Sequence, residues 1–156
     1  PIKEVDALRS NEVVYENVVV QDALKLDGVC GRRIDMEVEI FSANEQQLYK
    51  NFKIHVAENE KYYTAIKFMP EESILKMDRK FAGSCRAIVH EKECKVDAKN
   101  GKLKMRIIMD RFSVEVFIND GEQAMSFTIY TDQNADEISF FADGLVKMNV
   151  VKYDLS

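Results

Sequence analysis

Residues 102–121 read Lys-Leu-Lys-Met-Arg-Ile-Ile-Met-Asp-Arg-Phe-Ser-Val-Glu-Val-Phe-Ile-Asn-Asp-Gly. Leu103, Met105, Ile107 and Met109 alternate with Lys102, Lys104, Arg106 and Ile108. A period of two marks a strand with one buried face. The alternation breaks at Asp110-Arg111 and resumes as Phe112, Val114, Val116 and Ile118 against Ser113, Glu115, Phe117 and Asn119. Apolar groups on both faces near the end of the second run place it inside a sheet rather than at an edge. Asn119-Asp120-Gly121 then offers the positive φ angles that a tight hairpin turn requires. A third alternating run follows over residues 124–130.

Outward from this core the chain reads as strand after strand. Residues 11–24 are mixed: Val13-Val14-Tyr15 and Val18-Val19-Val20 are strand formers, while residues 22–26 suit one helical turn. Residues 34–41 alternate, with Ile34, Met36, Val38 and Ile40 expected inward and Asp35, Glu37 and Glu39 outward. Phe52, Ile54 and Val56 alternate with Lys53 and His55, and residues 62–68 return as the hairpin partner. Pro70 ends that strand because it cannot donate to a ladder. Residues 74–77 form a short strand ending in Asp78-Arg79, residues 84–90 form another, and residues 97–101 turn into the central stretch. Frequent turn signals and few helical candidates predict an all-β antiparallel sandwich rather than βαβ units.

The bulk numbers exclude several classes. At 156 residues the chain is one domain by length, able to bury roughly two-thirds of its unfolded surface. A net charge of −5 and the lack of any Lys/Arg stripe argue against nucleic acid as a partner. No apolar run approaches a membrane span. Three cysteines without a C-x-x-C spacing do not make a disulfide framework, and Cys30, Cys85 and Cys94 are expected as small buried hydrophobes. His55 and His90 are the only histidines, expected on the polar side of a strand and at a strand end. Neither joins a cluster with metal-ligand spacing, so no metal and no cofactor is expected. There is no Gly-rich phosphate loop and no G-x-S-x-G elbow.

The run Asp110-Arg111-Phe112-Ser113-Val114-Glu115-Val116-Phe117-Ile118-Asn119-Asp120-Gly121 closely resembles the signature of the C-terminal β-sandwich domain of glycoside hydrolase family 32. That family holds invertases, sucrose-6-phosphate hydrolases, levanases and inulinases. The likeness extends over nearly the whole chain. Residues 73–83 resemble the family's earlier strand ending in Asp-Arg, and residues 138–144 its penultimate strand and turn. Residues 148–155 are similar to its closing strand, and residues 1–9 to the connector after the catalytic domain. The sequence departs from the pattern at Phe112, where the family commonly has a small residue. The resemblance implies two stacked antiparallel sheets, a jelly-roll or lectin-like sandwich spanning residues 1–156.

In that family the paired carboxylates of a glycosidase lie in a separate five-bladed propeller. Its Asn-Asp-Pro-Asn-Gly-like and Arg-Asp-Pro motifs have no counterpart here, since the only prolines are Pro1 and Pro70 and neither follows an Asp. Glu93-Cys94 spells the third motif without its flanking Trp and Pro, and falls in an expected turn. A motif out of context carries no chemistry. No catalytic residue is therefore expected.

Asp110, Arg111 and Glu115 are the candidate sugar-binding residues, because carboxylate and guanidinium can chelate adjacent sugar hydroxyls through charge-assisted hydrogen bonds. Sandwich modules similar to this one bind fructose termini in some fructan-degrading enzymes. The competing reading is structural: Asp110 caps the turn and Arg111 pairs with Glu115 or Asp120. The absence of tryptophan favours the structural reading, since sugar faces usually stack on large aromatics. Tyr15, Tyr62, Tyr63 and Tyr130 are the available substitutes.

The expectation is a non-catalytic accessory domain of a β-fructofuranosidase acting on sucrose or its 6-phosphate. It would stabilise its own N-terminal propeller and take part in a homodimer. A fructan-binding module is the alternative, and a protein-interaction sandwich without sugar binding a further one. The cysteines, seven methionines and acidic balance point to a cytoplasmic rather than a secreted parent.

Overall fold

A computed structural model describes residues 2–79, 91–129 and 131–156. A short helix α1 (Ile2–Asp6) leads into a long strand β1 (Arg9–Leu24). There follow β2 (Ile34–Ser42), β3 (Asn51–Glu58), β4 (Thr64–Met69), β5 (Ile74–Asp78) and β6 (Glu91–Lys95). One 3-10 turn (Lys99–Gly101) precedes β7 (Leu103–Met109), β8 (Ser113–Ile118), β9 (Gln123–Thr128) and β10 (Glu137–Leu155). All described pairings are antiparallel, in the order β6-β5-β4-β3-β10-β2-β7-β8-β9, with β1 on β10.

β10 belongs to both halves of this sheet. Its first part, from Glu137 to Asp143, pairs with β3, and Val146 to Asp154 pair with β2. Between them Gly144 adopts φ +109°, and a Cβ there would lie 2.8 Å from the Cα of Tyr49. Only glycine lets the strand bend so close to another backbone. The bend stacks β3–β6 against β2, β7, β8 and β9. A single core fills the space between, with Phe52, Phe68, Leu75, Met77 and Phe140 from one half and Met36, Val38, Ile107, Val116 and Met148 from the other.

The far ends of the two halves also approach one another. Lys92 Nζ donates to Ser126 O (2.6 Å), Gln123 Nε2 to Lys95 O (2.5 Å) and Arg79 Nη1 to Thr128 O (2.5 Å). Side chains rather than a ladder close the seam between β6 and β9, so these two edge strands cover one another. The result is a nearly closed antiparallel sandwich, and the predicted fold class holds.

Several local expectations give way. Residues 22–24 continue β1, paired with β10, instead of forming a helical turn; Asp22 sits at φ +61°, which a right-handed turn cannot use. Asn11, Asn17 and Asp22 all have positive φ, and the three register shifts of β1 fall at these residues. Asn and Asp tolerate that conformation, and the resulting bulges blur the period-two signal. Glu93-Cys94 lies in β6, not in a turn. The stretches 138–144 and 148–155 form one bent strand instead of two. Phe112, expected inward, is 60% exposed because β8 begins only at Ser113. Cys30 is exposed and Cys94 partly buried, both as free thiols. The expected strand over residues 84–90, with Cys85 and His90, lies outside the described residues, as does Tyr130.

Candidate functional site

Asp110 and Arg111 form the turn between β7 and β8. Asp110 Oδ1 accepts the Phe112 N–H at 2.8 Å, and the Asp110 N–H reaches Ser113 O at 3.1 Å. This is an Asx turn, the local use for which Asp is favoured at such positions. One carboxylate oxygen of Asp110 is therefore engaged in shaping the turn.

Arg32 fixes that turn from beneath. Its guanidinium is buried and donates to Arg111 O (2.5 Å), Asp132 O (2.6 Å), Thr131 O (3.1 Å) and Ala135 O (3.4 Å). Gln133 Nε2 adds a bond to the same Arg111 carbonyl at 3.2 Å. Four carbonyls from two loops thus converge on one planar fork, a geometry that lysine cannot reproduce. Burial pulls the Arg32 guanidinium below its ordinary value, opposed by the charges of Asp136, Asp110 and Asp132. Arg32 lies 79 to 103 residues from its loop partners, and nothing local in Gly31-Arg32-Arg33 marks it.

Glu115 lies elsewhere. It is exposed on the outer face of β8, opposite Ile108 on one side and Ser126 on the other. It lines a shallow groove of about 320 Å³ at the seam, with Arg79, Lys92, Ser113, Ser126, Phe127 and Thr128. The Arg79 guanidinium and Lys92 ammonium stand 4.6 and 4.9 Å from the centre of the Phe127 ring. Two cations beside one aromatic ring, with a carboxylate and three hydroxyls around them, can offer directional hydrogen bonds to a polyol. No hydrogen bond or ion pair among the described residues joins Glu115 to Asp110 or Arg111. Among the described residues no ion pair joins Arg111 to Glu115 or Asp120, and Asp120 meets Lys104 at 3.2 Å.

Two further polar constellations escaped the sequence reading. Asp35, expected outward on β2, has no exposed surface. Arg106 of β7 grips it through Nε (2.9 Å) and Nη2 (2.5 Å), and Arg9 of β1 through Nε (2.7 Å). Arg106 also holds Asp6 of α1 at 2.6 Å, and Arg9 stacks over the Tyr153 ring at 4.4 Å. Burial alone would raise the Asp35 pKa, but the hydrogen bonds and charges of Arg106 and Arg9 outweigh it and hold the carboxyl below its usual range.

His55, expected near the surface, is buried. Its ring stacks on Tyr63 at 3.9 Å and leans on Phe141 at 4.5 Å. Its Nδ1 lies 2.8 Å from Glu58 Oε2, and the other Glu58 oxygen accepts from Ser139. Burial lowers the His55 pKa, against the hydrogen bond that Nδ1 donates to the Glu58 carboxylate and against the Glu58 charge. Here the carboxylate stands between hydroxyl and imidazole, whereas a nucleophilic triad needs the imidazole between them. Among the described residues no group of three or more His, Cys, Asp or Glu could hold a metal ion. No helix among them is long and apolar enough to cross a membrane.

Comparison with known proteins bears on this arrangement. The family described as "Glycosyl hydrolases family 32 C terminal" matches residues 4–155. The chain is 28% identical to sucrose-6-phosphate hydrolase of Staphylococcus xylosus, over 99% of its own length and 31% of that protein's. It is 29% identical to levanase of Bacillus subtilis, over 95% of its own length and 23% of that protein's. Among solved structures, sucrose-6-phosphate hydrolase from Lactobacillus gasseri aligns with all of the chain at a TM-score of 0.80 and 19% identity, over 30% of that protein. Exo-inulinase from Aspergillus awamori aligns with 97% of it at 0.79 and 16%, over 31% of that protein. The chain spans 23% to 31% of the length of these relatives.

Proposed function

The chain belongs to the family of glycosyl hydrolase family 32 C-terminal domains, and from that premise we propose that it is the non-catalytic accessory domain of a β-fructofuranosidase. The parent enzyme would hydrolyse sucrose or sucrose 6-phosphate in a catalytic propeller preceding residue 1. The domain's work is to brace that propeller and to contribute to a homodimer. The observation that carries this reading is the proportion of the match. The chain aligns over nearly its whole length with enzymes named for fructoside hydrolysis, yet accounts for only 31% and 23% of the first two. The engagement of the polar groups supports it. Asp110 and Arg32 serve the turn, Asp35 serves the fold, and Glu58 separates Ser139 from His55. Cys30 and Cys94, both free thiols, support a cytoplasmic parent.

Activity assays test the reading. The purified chain should release no fructose from sucrose, sucrose 6-phosphate or levan, while the whole gene product should do so. Hydrolysis by the chain alone would overturn it.

A second reading is fructan binding in the seam groove, favoured by Glu115 standing among Ser113, Ser126, Thr128 and the two cations over Phe127. It predicts amide shifts in β8 and β9 on titration with a fructan, weakened by Glu115→Ala. An unchanged spectrum at saturating fructan would exclude it.

A further inference from the structure

Cross-strand neighbours on the outer faces of the sheet differ between its two halves. Between β2 and β7 the charged pairs are of opposite sign, Glu39 facing Lys104 and Glu37 facing Arg106. Across β3, β4 and β5 one row is of like sign. Lys53 stands directly opposite Lys67, and Lys67 directly opposite Lys76. The flanking Phe52, Ile54, Ile66, Phe68, Leu75 and Met77 are buried in the core, so the three lysines share the outer face. Like charges directly opposed on adjacent strands are destabilising, and such a row calls for counter-charge.

One end of the row has it. Lys76 meets Glu91 at 3.2 Å and faces Glu93. Lys53 and Lys67 take part in no ion pair or hydrogen bond among the described residues. Residues 1, 80–90 and 130, outside the described part, include no Asp or Glu, so no carboxylate comes from there. Lys53 is instead laid over the Phe141 ring, its ammonium 4.9 Å from the ring centre. Both side chains are half-buried. Burial and the charge of Lys67 push the Lys53 pKa down, while the charge of Glu58 pulls it up. The Glu58 carboxylate is already bonded to His55 and Ser139.

We propose that Lys53 and Lys67 form an anion site that takes a phosphoryl group, borne by a phosphomonoester or free as inorganic phosphate. Directly opposed residues have Cβ atoms roughly 5 Å apart, so two lysine stems can bring both ammonium groups onto one tetrahedral anion. A phosphoryl dianion matches their two charges and accepts charge-assisted hydrogen bonds from each. The half-buried setting makes those bonds stronger than they would be in open solvent. The site is separate from the groove around Glu115, whose lining includes none of the three lysines.

Trace acylation of amines on the whole native gene product, read by mass spectrometry, tests the site. Labelling is compared in chloride, inorganic phosphate, sucrose 6-phosphate and sucrose at equal ionic strength. Lys25, with 57% of its side chain exposed, is the internal reference. Phosphate is expected to slow the labelling of Lys53 and Lys67 together and saturably. The slowing should reach roughly fivefold once phosphate exceeds its dissociation constant several times over, with Lys25 and the sucrose arm unchanged. Equal protection by phosphate and sucrose 6-phosphate assigns the site to the phosphoryl group itself, and protection by one of them alone names the source. Lys67→Gln, which relieves a like-charge contact and leaves the core untouched, should abolish the protection of Lys53. Protection that survives this substitution, equal slowing at Lys25, or no slowing at any phosphate concentration would overturn the site. Labelling of both lysines already blocked in chloride would place a protein partner over the row and likewise overturn it.

Discussion

Asp35 and Arg32 are the two side chains whose roles most exceed their appearance in the sequence. Each sits where a lone charge would be costly; both oxygens of Asp35 are bonded, and both terminal nitrogens of Arg32 donate to carbonyls. Removing one member of such a constellation leaves the others buried and unpaired, a loss of about 3–5 kcal/mol for an ion pair. Asp35→Ala is therefore expected to destabilise the domain by that order, read as a lower urea midpoint with unchanged slope; a change below about 1 kcal/mol would contradict the burial argument. The pH dependence has a defined sign. The folded pKa of Asp35 lies below its unfolded value, near 3.9, so the folded state binds fewer protons there. Its contribution is complete above the unfolded pKa and is lost as pH falls through the folded one. Asp35→Asn should flatten the acid limb of stability below about pH 4. Arg32→Lys tests the other constellation. It keeps the charge but loses the planar fork that reaches Arg111 O and the carbonyls of Thr131, Asp132 and Ala135. We expect a cost of about 2–3 kcal/mol and broadened amide resonances for the 110–112 turn; an intact turn in the variant would show that Arg32 does not hold it.

At the scale of the element, β10 and β1 decide the fold. A Cβ at residue 144 would meet the Tyr49 backbone, and its positive φ suits only glycine. Gly144→Ala should cost more than about 2 kcal/mol and lower the melting temperature, whereas Gly121→Ala, in open space at its turn, is expected to cost markedly less. Equal effects at the two glycines would argue that β10 can bend without the close approach. The strands with regular alternation were legible in the sequence. β2, β7 and β8 run where the period placed them, and Asn119, Asp120 and Gly121 take the positive φ that their hairpin was expected to need. What was hidden depended on contacts distant in sequence. Asp35 reads as a solvent-facing residue until Arg9 and α1 are folded over it. Bulges at Asn11, Asn17 and Asp22 broke the pattern of β1. Of the candidate site, only the turn-capping part at Asp110 was readable, because an Asx turn is a local structure. The groove around Glu115 forms only when Arg79, just past β5, and Lys92 of β6 arrive across the seam.

At the scale of the molecule, the sandwich is a finished core with an unfinished surface. Its seam is closed by side-chain bonds, and its interior packs into one cluster, while among the described strands β1 pairs with β10 alone and exposes Val14 and Val19. The most direct measurement is the size of the native gene product, taken by immunoblot with an antibody raised against residues 1–156. The account predicts a band roughly three to four times the 18.0 kDa of this chain, in line with the relatives it matches. A native band at 18.0 kDa would mean a free-standing sandwich and would contradict the accessory-domain account.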